Sequence, residues 1–169
     1  MKDLHEIIDW IRNGMFLQFG AEEVKFDIEK DVEDQILSCW SGTNIIGTIK
    51  NQVLCDAPDA NEYIIDLVIK ANDGFLPIEI KHSASATYDE VKEDIEKLKY
   101  YVEHYSDMPQ GVLIYFTKKA NDPLTGGMSH ISINNTRGFY YHIIERNIDT
   151  YNEHNSISFV DRWEAKEIE

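Results

Sequence analysis

Three charged residues stand where a β-rich core has no obvious use for them. Asp66 interrupts the apolar run Ile64-Ile65-Leu67-Val68-Ile69, and Glu79 and Lys81 punctuate a second run, Leu76-Pro77-Ile78-Ile80. Both runs have strand length and are rich in β-branched residues. Charged side chains are almost never fully buried without a partner, so three of them in neighbouring strands point to a site. Two carboxylates within a few ångströms of each other repel, and the usual resolution is a hard divalent cation bound by oxygen ligands, with Mg2+ keeping several of its waters. A lysine two residues along the same strand then orients or helps to deprotonate a metal-bound water, or neutralises developing negative charge. The chemistry this implies is metal-assisted attack of water on a phosphodiester. The competing reading is a structural Asp/Glu/Lys ion-pair cluster across a hairpin.

The segment that must bring the three together is Ala71-Asn72-Asp73-Gly74, whose Asn-Asp or Asp-Gly pair suits a two-residue hairpin loop. With Asn72 and Asp73 at the centre, Asp66 falls opposite Glu79. With Asp73 and Gly74 at the centre, it falls opposite Lys81. Either register places Asp66, Glu79 and Lys81 on one face by the period-2 alternation of strands, and a bulge or a three-residue loop would break that parity.

Asp66, a further twelve residues of strand and turn, then Glu79-Ile80-Lys81 resembles the signature of the PD-(D/E)XK, or restriction-endonuclease-like, nuclease superfamily. A literal Pro-Asp occurs at Pro58-Asp59, but among Asp56, Ala57, Ala60 and Asn61 it reads as a turn, and Asp66 inside the strand is the better match. The resemblance covers residues 30–118 and implies an α/β fold with an αβββαβ core, a mixed central sheet flanked by helices. It further implies a Mg2+ site, with Mn2+ as an alternative, formed by Asp66, Glu79 and the backbone carbonyl of Ile80, with Lys81 serving the nucleophilic water and DNA as substrate. In that family a glutamate from the helix before the first core strand often joins the metal, a place that Glu33 fills in chain order, with Glu29 as the runner-up.

The flanking elements follow from periodicity. Leu4, Ile7, Ile8 and Ile11 predict an amphipathic helix over residues 3–13. Val32, Ile36, Leu37 and Trp40 predict a second helix, entered through acidic residues and ended at Ser41-Gly42. A first core strand is expected over Ile45–Leu54. Thr87-Tyr88-Asp89-Glu90 is a capping box, and Val91, Ile95, Leu98, Val102 and Tyr105 recur at steps of four and three, which predicts a long helix with its apolar stripe on the sheet. Its outer face is read to carry Lys92, Glu93, Asp94, Glu96, Lys97, Lys99 and Glu103, a solvated face on which Lys97 is a candidate for phosphate contact. Gln110–Thr117 is a buried strand, and Lys118-Lys119 at its end is the first candidate for contact with nucleic acid. Asn121–Met128 reads as a loop, while Phe139–Ile144 and Ser156–Trp163 read as late strands or a final helix. His82 points away from the motif face by alternation and is read as incidental.

The chain of 169 residues is expected to form one domain, with residues 119–169 as a C-terminal extension, and its apolar content of 43% with 11% aromatics suits a globular core. No run of apolar residues is long enough to span a membrane, the first residues lack a signal-peptide pattern, and Cys39 and Cys55 read as core thiols, so a cytoplasmic location is expected. Thirty-one acidic residues against sixteen basic ones leave a formal net charge of −15, which repels a polyphosphate at long range. A protein partner that delivers the nucleic acid is one answer, and cutting both strands of a duplex would favour a homodimer. The rival from another class is a non-catalytic interaction or regulatory module of the same fold.

Overall fold

The computed structural model describes residues 2–11, 28–41, 47–58, 62–82, 87–117, 130–134 and 140–147. Helix α1 spans Leu4–Asp9 and α2 Glu29–Ser41; strands β1, β2 and β3 span Thr48–Asp56, Glu62–Ala71 and Gly74–His82; α3 spans Tyr88–His104; β4, β5 and β6 span Gln110–Thr117, His130–Asn134 and Tyr140–Asn147. The strands form one sheet in the order β1-β2-β3-β4-β6-β5. All pairs are antiparallel except β3 with β4, which run parallel and are joined through α3. The chain is therefore an α/β protein with a mixed sheet flanked by helices. From α2 to β4 the elements follow the order helix, three strands, helix, strand.

Strands β2 and β3 lie inside the sheet and are covered on both faces, hence their nearly continuous apolar sequence. On one face α1 and α2 pack over Leu67, Ile69, Leu76, Ile78, Ile80, Val112 and Ile114. On the other, α3 packs over Val68, Phe75, Leu113 and Tyr115. The hairpin turn is the two-residue loop Asn72-Asp73, because Ala71 and Gly74 close the ladder as a pair. Gly74 takes φ 152°, and a Cβ there would stand 2.7 Å from the Asp107 carbonyl, so both the backbone angle and the space select glycine. Asp73 Oδ1 accepts from the Leu4 backbone N–H at 2.7 Å, which ties α1 to the turn.

The capping box of α3 is present: Thr87 Oγ1 accepts from the Glu90 N–H at 3.3 Å and Glu90 accepts from the Thr87 N–H at 2.6 Å. Strand β1 begins at Thr48 and runs through Cys55 to Asp56, later at both ends than expected. The α-helical part of α1 is Leu4–Asp9, Trp10 and Ile11 continue it in π-helical geometry, and residues 12–13 of the expected helix lie outside the described residues. Tyr140–Asn147 settles the first late segment as strand, and His130–Asn134 is a strand that the sequence reading did not anticipate. Residues Asn121–Met128, Ser156–Trp163 and the Lys118-Lys119 pair lie outside the described residues.

Candidate active site

The site begins at a defect in the β1–β2 ladder. Rungs run from Thr48 with Lys70 to Asp56 with Glu62, but the rung between Gln52 and Asp66 is missing, and Gln52 takes φ 50°, left-handed backbone in a non-glycine residue. The alternation of β2 reverses at this point: Leu67 and Ile69 face α1 and α2, whereas Val68 and Ile65 both belong to the core under α3. The β2–β3 rungs also stop here, at Leu67 with Ile78. One step further in the same register Asp66 is opposite Glu79. Instead of a ladder bond, Asp66 Oδ2 accepts from the Ile80 backbone N–H at 2.8 Å. The parity argument from sequence thus fails locally, yet its outcome stands: Asp66, Glu79 and Lys81 meet at the open end of the hairpin.

Glu79 has no exposed surface. Its Oε1 accepts from the Tyr101 hydroxyl at 3.1 Å and lies 3.4 Å from Lys97 Nζ, while Oε2 is buried without a hydrogen-bond partner. Burial, followed by the negative charge of Asp66, holds the Glu79 carboxyl well above the usual glutamate range. Burial likewise raises Asp66, against the pull of the Ile80 N–H. Both carboxyls are thus held above their ordinary range.

Around this pair stands a second ring of charge. Lys81 Nζ lies 3.2 Å from Asp94 Oδ2 and 3.7 Å from Glu29, and Lys97 Nζ lies 3.2 Å from Asp94 Oδ1. Burial lowers the pKa of both lysines, but the combined carboxylates outweigh it and both stand above the ordinary lysine value. Glu29 is pushed up to about 7, chiefly by burial and then by Asp66 and Asp94, against the opposing pull of Lys81. Four carboxyls, Glu29, Asp66, Glu79 and Asp94, face two ammoniums, so full ionisation leaves an excess of two negative charges at one spot. A cleft of about 550 Å³, lined by Ile28, Glu29, Lys30, Glu33, Gln52 and Asp66, leads to the pair from the α2 side.

Among the described residues no group of three acidic, histidine or cysteine side chains is placed to hold a metal ion. Asp66 and Glu79 are two neighbouring carboxyls, and Mg2+ commonly takes only one or two carboxylates and keeps its waters. The partnerless Glu79 Oε2 beside Asp66 fits such a site.

Glu33, the acid assigned to the metal from chain order, is buried but engaged elsewhere: it accepts from Asn51 Nδ2 at 3.0 Å and from Lys30 at 3.2 Å. Glu29, one helical turn earlier, is the α2 carboxyl that reaches Lys81. Lys97 does not stand on a solvated face: its side chain is 21% exposed and pairs with Glu79 and Asp94. Asp94, expected on the solvated face of the helix, is buried at 4% exposure, and Tyr101 was not singled out from the sequence. The signal was there, since Asp94, Lys97 and Tyr101 follow helical spacing beside the apolar stripe, and α3 buries a wider arc than that stripe. His82 is buried.

Comparison of the chain with protein-family models, with curated protein sequences and with solved structures finds no match in any of the three.

Proposed function

We propose that this chain is a Mg2+-dependent nuclease of the PD-(D/E)XK kind, which hydrolyses DNA phosphodiester bonds by a metal-activated water. The observation that carries the reading is the Asp66–Glu79 carboxyl pair, with one buried oxygen unpartnered and a charged lysine two residues along. The helix-strand order from α2 to β4 and the D-x12-E-x-K spacing support it. Asp66, Glu79 and the Ile80 peptide would hold the ion, which when bound supplies an acidified water and charge neutralisation.

The rest is the work of the chain itself. Lys81 remains an ammonium at neutral pH under the field of its carboxylates, so its part is to orient the nucleophile and stabilise charge on the phosphoryl oxygens, not to act as a base. The Ile80 N–H and Tyr101 hydroxyl fix the two carboxyls in place before substrate arrives. The cleft at Asp66 admits a phosphate group from the α2 side.

The deciding experiment is cleavage of labelled DNA and RNA panels in Mg2+ and in Mn2+, with Asp66→Ala and Lys81→Ala alongside. Cleavage that chelator and both substitutions remove is the expected result, and wild-type cleavage by Asp66→Ala would sink the assignment. One observation favours a second reading, a non-catalytic interaction module: Lys81 and Lys97 are already ion-paired within the cluster, as in a purely structural network. Calorimetry separates the two, because the module need not bind Mg2+ and the nuclease must.

A further inference from the structure

Asp94 has no place in the roles assigned so far, yet it is the hub of the cluster. It lies on the inner side of α3 at 4% exposure. Its Oδ1 accepts from Lys97 Nζ at 3.2 Å, and its Oδ2 lies 3.2 Å from Lys81 Nζ and has no hydrogen-bond partner. One carboxylate thus holds two lysines from different elements, one ammonium at each oxygen. Stability is a weak reason for such an arrangement. Burying charges is costly, and apolar replacements of buried pairs are often as stable or more so.

Geometry offers a better reason. Lys81 and Lys97 each stand 3.2 Å from an oxygen of the same carboxylate, so the two positive charges are held close together and a phosphate group beside them meets both. Both lysines retain access, at 19% and 21% side-chain exposure, and both feel the charge of Asp66. Lysine side chains lose rotamer freedom when they are ordered, so a residue that orders them beforehand favours the reactive geometry.

We propose that Asp94 is the positioning residue of the site, which holds Lys81 of β3 and Lys97 of α3 as a paired cation for a single phosphate group of the substrate. This rests on the nuclease reading and adds to it a second phosphate-contacting lysine and the carboxylate that sets both.

The test is turnover of a labelled DNA substrate by Asp94→Asn, read as separate kcat and KM and normalised to Mg2+-binding stoichiometry from calorimetry. The expected result is a kcat lower by about 10–100-fold, with Mg2+ affinity and KM changed less than about threefold and partial recovery in Asp94→Glu. In a Lys97→Met background the same Asp94→Asn substitution should cost less than about threefold, since one of the groups it acts through is gone. A merely structural aspartate would instead show losses that multiply across the two backgrounds. The proposal is overturned by an unchanged kcat, by multiplying losses, or by loss of Mg2+ binding in Asp94→Asn, which would make Asp94 a ligand. If Asp94→Asn does not fold, Asp94→Glu and the Lys81→Met and Lys97→Met pair carry the comparison: a double lysine variant whose kcat loss falls short of the product of the two single losses supports the proposal, and losses that multiply defeat it. Failure of the nuclease reading looks different, since the wild-type chain would then neither bind Mg2+ nor cleave.

Discussion

The two ends of the β2–β3 hairpin are made of the same backbone and behave in opposite ways. At the turn end, from Leu67 with Ile78 to Ala71 with Gly74, every rung closes and, Lys70 apart, the side chains are apolar and mostly buried. At the other end the rungs stop, Gln52 leaves the ladder, and a side-chain carboxylate takes the N–H that a neighbouring strand would have satisfied. The difference teaches where each kind of free energy is placed. The closed end supplies hydrophobic burial and complete hydrogen bonding. The open end holds raised carboxyls and a buried oxygen without a partner, costs that are common where a site is prepared for a ligand.

The sharpest way to break this comparison is to remove one group from each end. Asp66→Ala should lower cleavage by about three orders of magnitude or more, an effect of about 4 kcal/mol on the barrier, while chemical denaturation shows little loss of stability. Ile69→Ala, at the fully buried closed end, should do the reverse. It should cost about 2–5 kcal/mol of stability in urea unfolding, with the specific activity of the folded fraction retained.

A smaller effect sharpens the claim that the open end is strained. Glu79→Gln removes a buried carboxyl whose folded pKa is raised, and such a group stabilises the fold only while it is protonated. Its contribution is complete below the unfolded carboxylate range near pH 4.5 and is lost as pH rises through the folded value. The metal-free variant should therefore gain about 1 kcal/mol over wild type at pH 8, and less at pH 5, by thermal or urea unfolding. A variant less stable than wild type at pH 8 would show that the bonds to Tyr101 and Lys97 outweigh the burial of charge.

Thr87→Ala tests whether α3 is held by its cap independently of the site. It should cost about 1 kcal/mol in urea unfolding with Mg2+ affinity unchanged by calorimetry. The smallest effect is electrostatic. With Glu29 raised to about 7, the protein should lose stability between about pH 4.5 and 7, and Glu29→Gln should flatten that slope. By the same linkage Mg2+ should bind more tightly as pH rises through 7, with proton release measurable by calorimetry in buffers of different ionisation enthalpy.

Much of this was legible before the fold was known, and the reasons are local. A strand has period two, so either two-residue turn within Asn72–Gly74 brought Asp66 to Glu79 and Lys81, and the closing pair Ala71 with Gly74 selects the register that sets Asp66 against Glu79. Thr87 and Glu90 cap α3 through groups three residues apart, and the apolar run of Gln110–Thr117 reads as a buried strand whatever surrounds it. The acid of α2 that joins the cluster was not legible, because Glu29 and Glu33 stand one turn apart on the same helix and only the docking of α2 against Asn51 and Lys81 separates them.

The sequence by itself determined which charged residues interrupt the apolar runs of β2 and β3, and the order of elements that brings those strands side by side. Only the tertiary structure decided three further things: the break in the β1–β2 ladder at Gln52, the arc of α3 that turns Asp94, Lys97 and Tyr101 inward, and the choice of Glu29 over Glu33. The physical reason is the range of the interactions. Turn, cap and alternation act over two to four residues, whereas the pairing of Asp94 with Lys81 and of Tyr101 with Glu79 needs a helix and a sheet already packed together.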